Sequence, residues 1–278
     1  MVLVALLLQV TSAFTPGFAL PRSRARVQRT QTVMPAQRTQ GIIPAQRMPD
    51  SEADVEHISS TPLVTAPAWR GHLHRNGAIC FPVLAGLLFR QARSTRGLIH
   101  SIVFAVAIQG IMSVSAILHT TDWYRTSRLR LARLADYSMI FIGIAMLYSS
   151  LGGLLMGHAR IFRVLMCPMV WIGAVVGVGA KIFFLNSPRW VEAASFLTQG
   201  WACLLAYGAI REMTTPAEWR MLLGGGISVT AGVVAYVSQW PAYRWHRGKF
   251  AAHECFHLGT MGMFGCFSAL MLSLVKRA

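Results

Sequence analysis

The sequence predicts an all-α integral membrane protein, a bundle of seven transmembrane helices. Three observations carry that prediction. Hydrophobic residues make up 54% of the 278 and charged residues only 13%, with a mean hydropathy of +0.47, which suits a polytopic membrane chain and not a soluble enzyme. Beyond Trp69, apolar runs alternate with short polar turns seven times. Trp69, Trp123, Trp190, Trp219, Trp240 and Trp245 stand at the ends of those runs, where tryptophan sits at a membrane–water interface.

Residues 1–70 read as a leader and a disordered basic arm, and 71–278 as the membrane domain. Met1 to Val10 is a short apolar run followed by small residues, the pattern of a signal-peptide core rather than a span. From Pro21 to Pro49 the chain carries Arg22, Arg24, Arg26, Arg29, Arg38 and Arg47 with no acid, and is rich in Ser, Thr, Gln and Pro, which is transit-peptide composition. Pro35-Ala36-Gln37-Arg38 recurs at Pro44-Ala45-Gln46-Arg47 without core-forming residues, so the repeat is low complexity. With Ser12-Ala13-Phe14 at the cleavage region, the whole resembles the bipartite leaders of algae with secondary plastids, which implies a plastid membrane. An ordinary secretory signal would instead direct the chain to the endomembrane system or plasma membrane.

The candidate spans are Asn76–Phe89, Gly97–His119, Ala135–Gly157, Ile161–Leu185, Trp190–Ile210, Trp219–Gln239 and Ala252–Leu274. Most reach the roughly 20 residues that a helix needs to cross hydrocarbon. The first is short, contains Pro82 and needs Leu73 to Arg75 as flank. Gly173, Gly177, Gly179 and Gly224 to Gly226 favour close helix contact. The formal charge of +16 first suggests a nucleic-acid partner, but the basic residues lie in the arm and the turns, where membrane proteins keep them, so no nucleic acid is expected. Cys80, Cys167, Cys203, Cys255 and Cys266 are scattered through apolar runs and read as packing residues. Lys181 reads as snorkelling to the interface.

His253 and His257 stand four residues apart at the head of the last span. On a helix they share one face about 6 Å apart along the axis, a spacing that lets two imidazoles grip one metal ion. Ser115 and His119 lie one turn apart at the end of the second span, and Asp136 opens the third. With seven spans, the end of the second, the start of the third and the start of the seventh fall on one side of the membrane, so His119, Asp136, His253 and His257 can converge. Three imidazoles leave one tetrahedral position open, the catalytic type of zinc site, at which bound water titrates near pH 7, roughly. Asp136 could orient that water or take its proton, and Ser115 could steady the water, a ligand or a developing oxyanion. Each residue also has a plainer reading. Asp136 could cap its helix or pair with Arg133, Ser115 could pack helices, and the histidines could simply meet the interface. Glu254 points roughly 100° from His253 and toward a basic turn residue.

Ser115-xxx-His119, Asp136-Tyr137-Ser138-Met139-Ile140 and His253-Glu254-Cys255-Phe256-His257 resemble the three motifs of the hemolysin III and adiponectin/progestin receptor family. Arg130 to Leu134 and Ile144 to Tyr148 also resemble its bacterial branch. The resemblance implies a seven-helix fold, zinc held by His119, His253 and His257, Asp136 at the zinc-bound water and Ser115 close by. The sequence departs from the pattern at two places. Cys80 stands where the first span usually has His, with no acid ahead of Asn76, and Met146 to Ser150 replaces a Gly-Thr-Tyr-Thr-Pro turn.

The function expected first is a zinc-dependent hydrolase acting within the membrane on a lipid amide or ester, because the resemblance extends to ceramide-cleaving relatives. The alternatives are a lipid sensor or receptor in which zinc braces three helices, and a hemolysin-type pore. The partner is a membrane lipid or lipid-derived ligand, and the sequence leaves the oligomeric state open.

Overall fold

The structure is a computed structural model that describes residues 67–241 and 249–278. The leader and basic arm, apart from their last few residues, lie outside the described residues, as does Trp245. The described residues form seven long helices and no strand: α1 (His72–Gln91), α2 (Thr95–Thr120), α3 (Thr126–Met156), α4 (Phe162–Phe183), α5 (Arg189–Met213), α6 (Pro216–Ser238) and α7 (Ala252–Arg277). The six from α2 to α7 are long and apolar enough to cross a membrane. Helix α1 has 20 residues, but His72, His74, Arg75 and Asn76 in its opening turns and Arg90 and Gln91 at its end dilute its apolar middle.

The helices are apolar outside as well as inside. Ile172, Val175 and Val176 on α4, and Ile227 and Val234 on α6, are exposed, whereas Ser101, Ser115, Lys181, Glu192, Glu218 and Glu254 are buried. Facing water, such a surface would be a liability, but facing lipid tails it is the surface the solvent requires. The core is close-packed: Phe104, Ile108 and Met112 of α2 meet Leu88 of α1 and Leu270, Met271 and Leu274 of α7. Each helix packs on a neighbour along the chain from α1 to α4, and α7 lies along α6 and closes back on α1.

Two glycines set the α6–α7 approach. A Cβ on Gly259 would lie 2.6 Å from the Ser228 carbonyl oxygen and 2.9 Å from Gly232 Cα, so the two backbones touch where neither residue has a side chain. Of the glycines that the sequence singled out, Gly177, Gly225 and Gly226 also permit close helix contact, since a Cβ there would lie within 3.0 Å of the Phe141, Phe267 and Trp201 rings in turn, whereas Gly173 and Gly224 face side chains at ordinary contact distance and Gly179 faces nothing within 4 Å.

Helices α3 and α5 each carry an irregular turn, a π turn at Tyr148–Gly152 and a 3-10 stretch at Trp201–Ala206. Such turns free backbone groups that lipid cannot satisfy. Tyr148 repairs part of that deficit: its hydroxyl donates to the Gly200 carbonyl at 2.8 Å and accepts the Cys203 N–H at 2.7 Å. The segment that departs from the bacterial turn, Met146 to Ser150, thus braces α3 to α5.

The snorkelling reading of Lys181 is overturned. Its Nζ lies 2.5 Å from Glu192 Oε1 inside the bundle and 4.3 Å above the Tyr137 ring, with both partners about 95% buried or more. A buried ammonium requires a carboxylate partner, and the Glu192 that opens α5 supplies it.

Candidate metal centre

Helix α2 runs to Thr120, so Ser115 and His119 occupy its last two turns on one face. Helix α3 begins at Thr126, nine residues ahead of the Ala135 expected from hydropathy. Asp136 is therefore well inside α3, and the reading of it as a helix cap falls away. The Asp136 carboxyl is in polar side-chain contact with Ser115 across the α2–α3 interface.

Helix α7 begins at Ala252, and Glu254 in its first turn accepts the Ala251 N–H at 2.9 Å through Oε2. Its other oxygen, Oε1, accepts Arg70 Nε at 2.6 Å. Both carboxylate oxygens are thus turned toward the start of the helix, and Glu254 meets a basic residue outside the spans, as its angle predicts. This fixes the first turn of α7 and aims His253 and His257 at the end of α2.

The ligand nitrogens of His119, His253 and His257 all lie within 4.8 Å of one another. His119 Nε2 and His253 Nε2 are 3.1 Å apart. The ring centroids are 4.6 Å apart for His119–His253, 4.6 Å for His253–His257 and 5.4 Å for His119–His257. A tetrahedral zinc with nitrogens at about 2.0–2.1 Å sets those nitrogens roughly 3.3 Å apart. The His119–His253 pair is close to that spacing, and the other nitrogens lie within 4.8 Å. The donor set fits a metal: three imidazoles, half-buried or buried, from two helices at one end of the bundle. The group could bind a metal ion.

The cluster opens on a cavity of about 1890 Å³ that Ser115, Asp136 and all three histidines line. From there the cavity runs through the bundle, past Tyr148 and Trp201, to Met156 and Leu274, so its far wall is apolar. Tyr236 stands beside the histidine cluster, its ring 5.8 Å from that of His253. His72, His100 and His158 are not among the lining residues.

One residue at the site was missed. His74, which lies outside the three motifs, stacks on His257 with ring centroids 4.0 Å apart and planes 13° apart. The signal was available, because the start of the first helix falls on the same side of the membrane as the end of the second and the start of the seventh.

Residues 64–267 match the family described as Haemolysin-III related. The chain is 26% identical over 191 residues to a Hemolysin-3 homolog of Bacillus subtilis (strain 168), covering 68% of this chain and 85% of that protein. It is 25% identical over 202 residues to Hemolysin-3 of Bacillus cereus, covering 69% of this chain and 86% of that protein.

Proposed function

From its place in the Haemolysin-III related family, to which the chain belongs, and from its converging histidines, we propose that this membrane protein is a zinc-dependent hydrolase of lipid amides or esters. The observation that carries the proposal is the placing of three imidazoles within 4.8 Å at the end of a long, mostly apolar cavity that Asp136 and Ser115 also line. His119, His253 and His257 would hold the zinc. When bound, zinc supplies a Lewis acid and an acidified water at neutral pH. The Asp136 carboxylate would orient the attacking oxygen and accept its proton, and Ser115 Oγ would hold that carboxylate in place. The volume, well above the roughly 300–1,000 Å³ of a drug-sized site, suits a ligand with a polar head at the histidines and an acyl chain along the apolar wall. The leader, with its signal core and transit-like arm, is taken to deliver the protein to a plastid membrane.

The test is metal analysis of the purified protein together with a lipid amide and ester panel. About one zinc per chain is expected, with turnover lost and zinc kept in Asp136→Asn. Zinc without turnover across the panel, or turnover unchanged in Asp136→Asn, would instead favour a lipid-sensing or structural role for the site.

A further inference from the structure

Among the described residues, His74 has both ring nitrogens buried with no hydrogen-bond partner. The residue is 2% exposed. Burying a polar group without a partner costs free energy, because its bonds to water are lost and not replaced. A fold that retains two such groups on one ring asks for an explanation, such as an ion, an ordered water or a ligand.

Three observations say where that explanation lies. The His74 ring lies flat against His257, with Phe264 tilted beside it at 6.5 Å, so its surroundings are a metal-ligand candidate and an apolar wall. It lines the same cavity as Ser115, Asp136 and the three histidines. And the chain just before it is built to press it there. Gly71 adopts φ +75°, and a Cβ at that position would lie 2.6 Å from His119 Cβ, so a glycine lets α1 start against the end of α2. Arg70 pairs with Glu254, and the Trp69 N–H donates to the Lys249 carbonyl at 3.1 Å, which ties the same segment to the approach of α7. If His74 served only as an aromatic wall, phenylalanine would fill the space and bury no unmet nitrogen.

We propose that His74 is a further ligand-contacting residue of this site. Its imidazole hydrogen-bonds the oxygen that a carbonyl- or carboxylate-bearing ligand presents at the position left open by His119, His253 and His257. It is not one of the three clustered donors, so its part is to hold the ligand rather than the metal. The inference rests on the reading that the three histidines bind a metal.

The test uses the full chain in detergent micelles, loaded with cobalt, with acetate as the oxygen ligand and the visible absorption of the cobalt as the readout. His74→Phe keeps the stack on His257 and removes the hydrogen bond, whereas His74→Gln keeps a hydrogen-bonding group and removes the stack. Each protein should take up about one cobalt. Acetate should bind about tenfold more weakly to His74→Phe and within about threefold of native to His74→Gln, where tenfold corresponds to about 1.4 kcal/mol. Native acetate affinity in His74→Phe overturns the inference, as does a loss in His74→Gln as large as that in His74→Phe. Should His74→Phe fail to fold, His74→Leu takes its place, with the same tenfold loss expected and native acetate affinity overturning the inference. A native chain that binds cobalt without responding to acetate also overturns it. A native chain that takes up no cobalt removes the metal reading itself, and this inference with it.

Discussion

Arg70 Nε lies 2.6 Å from Glu254 Oε1, and the second Glu254 oxygen accepts the Ala251 N–H. The sequence His253-Glu254-Cys255-Phe256-His257 reads like a metalloprotease helix in which the glutamate is the general base. The geometry gives Glu254 a different role, that of fastening the segment before α1 to the first turn of α7. Glu254→Gln should therefore keep the metal and retain lipid turnover within about an order of magnitude, whereas loss of a true general base costs roughly 10²–10⁴-fold. Glu254→Ala, which leaves Arg70 without its partner, should lower thermal stability by on the order of 3 kcal/mol. Parallel turnover and melting measurements separate the two effects.

Metal retention should depend on His119, His253 and His257 to a similar degree, because one ion would draw on all three. Alanine at any of them should bring bound zinc well below one per chain after dialysis against a mild chelator. His72→Ala and His100→Ala, outside the lining of the cavity, should leave the metal content unchanged. Mass-spectrometric metal analysis of the five variants is the measurement. Loss from His253→Ala and His257→Ala with full retention in His119→Ala would place the ion elsewhere.

Ser115 and Asp136 should act as a pair. Asp136→Asn should remove turnover by about 10²-fold or more with zinc retained, as expected for a proton-accepting carboxylate. Ser115→Ala should cost less, about tenfold, if the hydroxyl only orients that carboxylate through a hydrogen bond to a charged group worth roughly 1.5–3 kcal/mol. In a double-mutant cycle the Ser115→Ala cost should vanish on the Asp136→Asn background. Additive losses would mean that Ser115 touches the substrate directly.

The fold was legible because lipid imposes a simple rule on sequence: long apolar runs with tryptophan and arginine at their ends. Parity then brought His119 to His253 and His257 without any knowledge of contacts. Two kinds of feature were harder to read. The start of α3 lies at Thr126, not Ala135, because Arg128, Arg130 and Arg133 depress hydropathy in turns that are helical all the same. Helix α1 is diluted in the same way, so its hydropathy misses the spanning range although its opening turn reaches the site. The partners of buried polar residues were hidden for another reason. Lys181 looked like an interfacial residue because nothing in its own run says that Glu192, eleven residues on, will turn back to meet it.

That ion pair gives a prediction of its own. Lys181→Met alone strands Glu192 inside the bundle and should destabilise the protein by on the order of 3–5 kcal/mol. Lys181→Met combined with Glu192→Leu removes both charges and should recover most of the loss, as replacement of buried ion pairs often does. Thermal melting of the two variants in one detergent tests this. A double variant no more stable than the single one would mean that the loss does not come from the stranded Glu192 charge.

The last prediction concerns how far the site depends on helix packing. Gly259 sits two residues beyond His257, on the face of α7 that meets α6 backbone to backbone, and a Cβ there would lie 2.6 Å from the Ser228 carbonyl oxygen. Since backbone cannot move aside as a flexible side chain can, Gly259→Leu must push α7 away from α6, at a cost of about 1–3 kcal/mol or more. Helix α7 carries two of the three histidines, while His119 is fixed on α2, so the push should separate the donors and weaken zinc binding by an order of magnitude or more. Gly265→Leu on the same helix is the control, because a Cβ there meets nothing within 4 Å. Chelator competition on both variants reads the result: equal zinc affinity would mean that α7 can shift on α6 without disturbing the site.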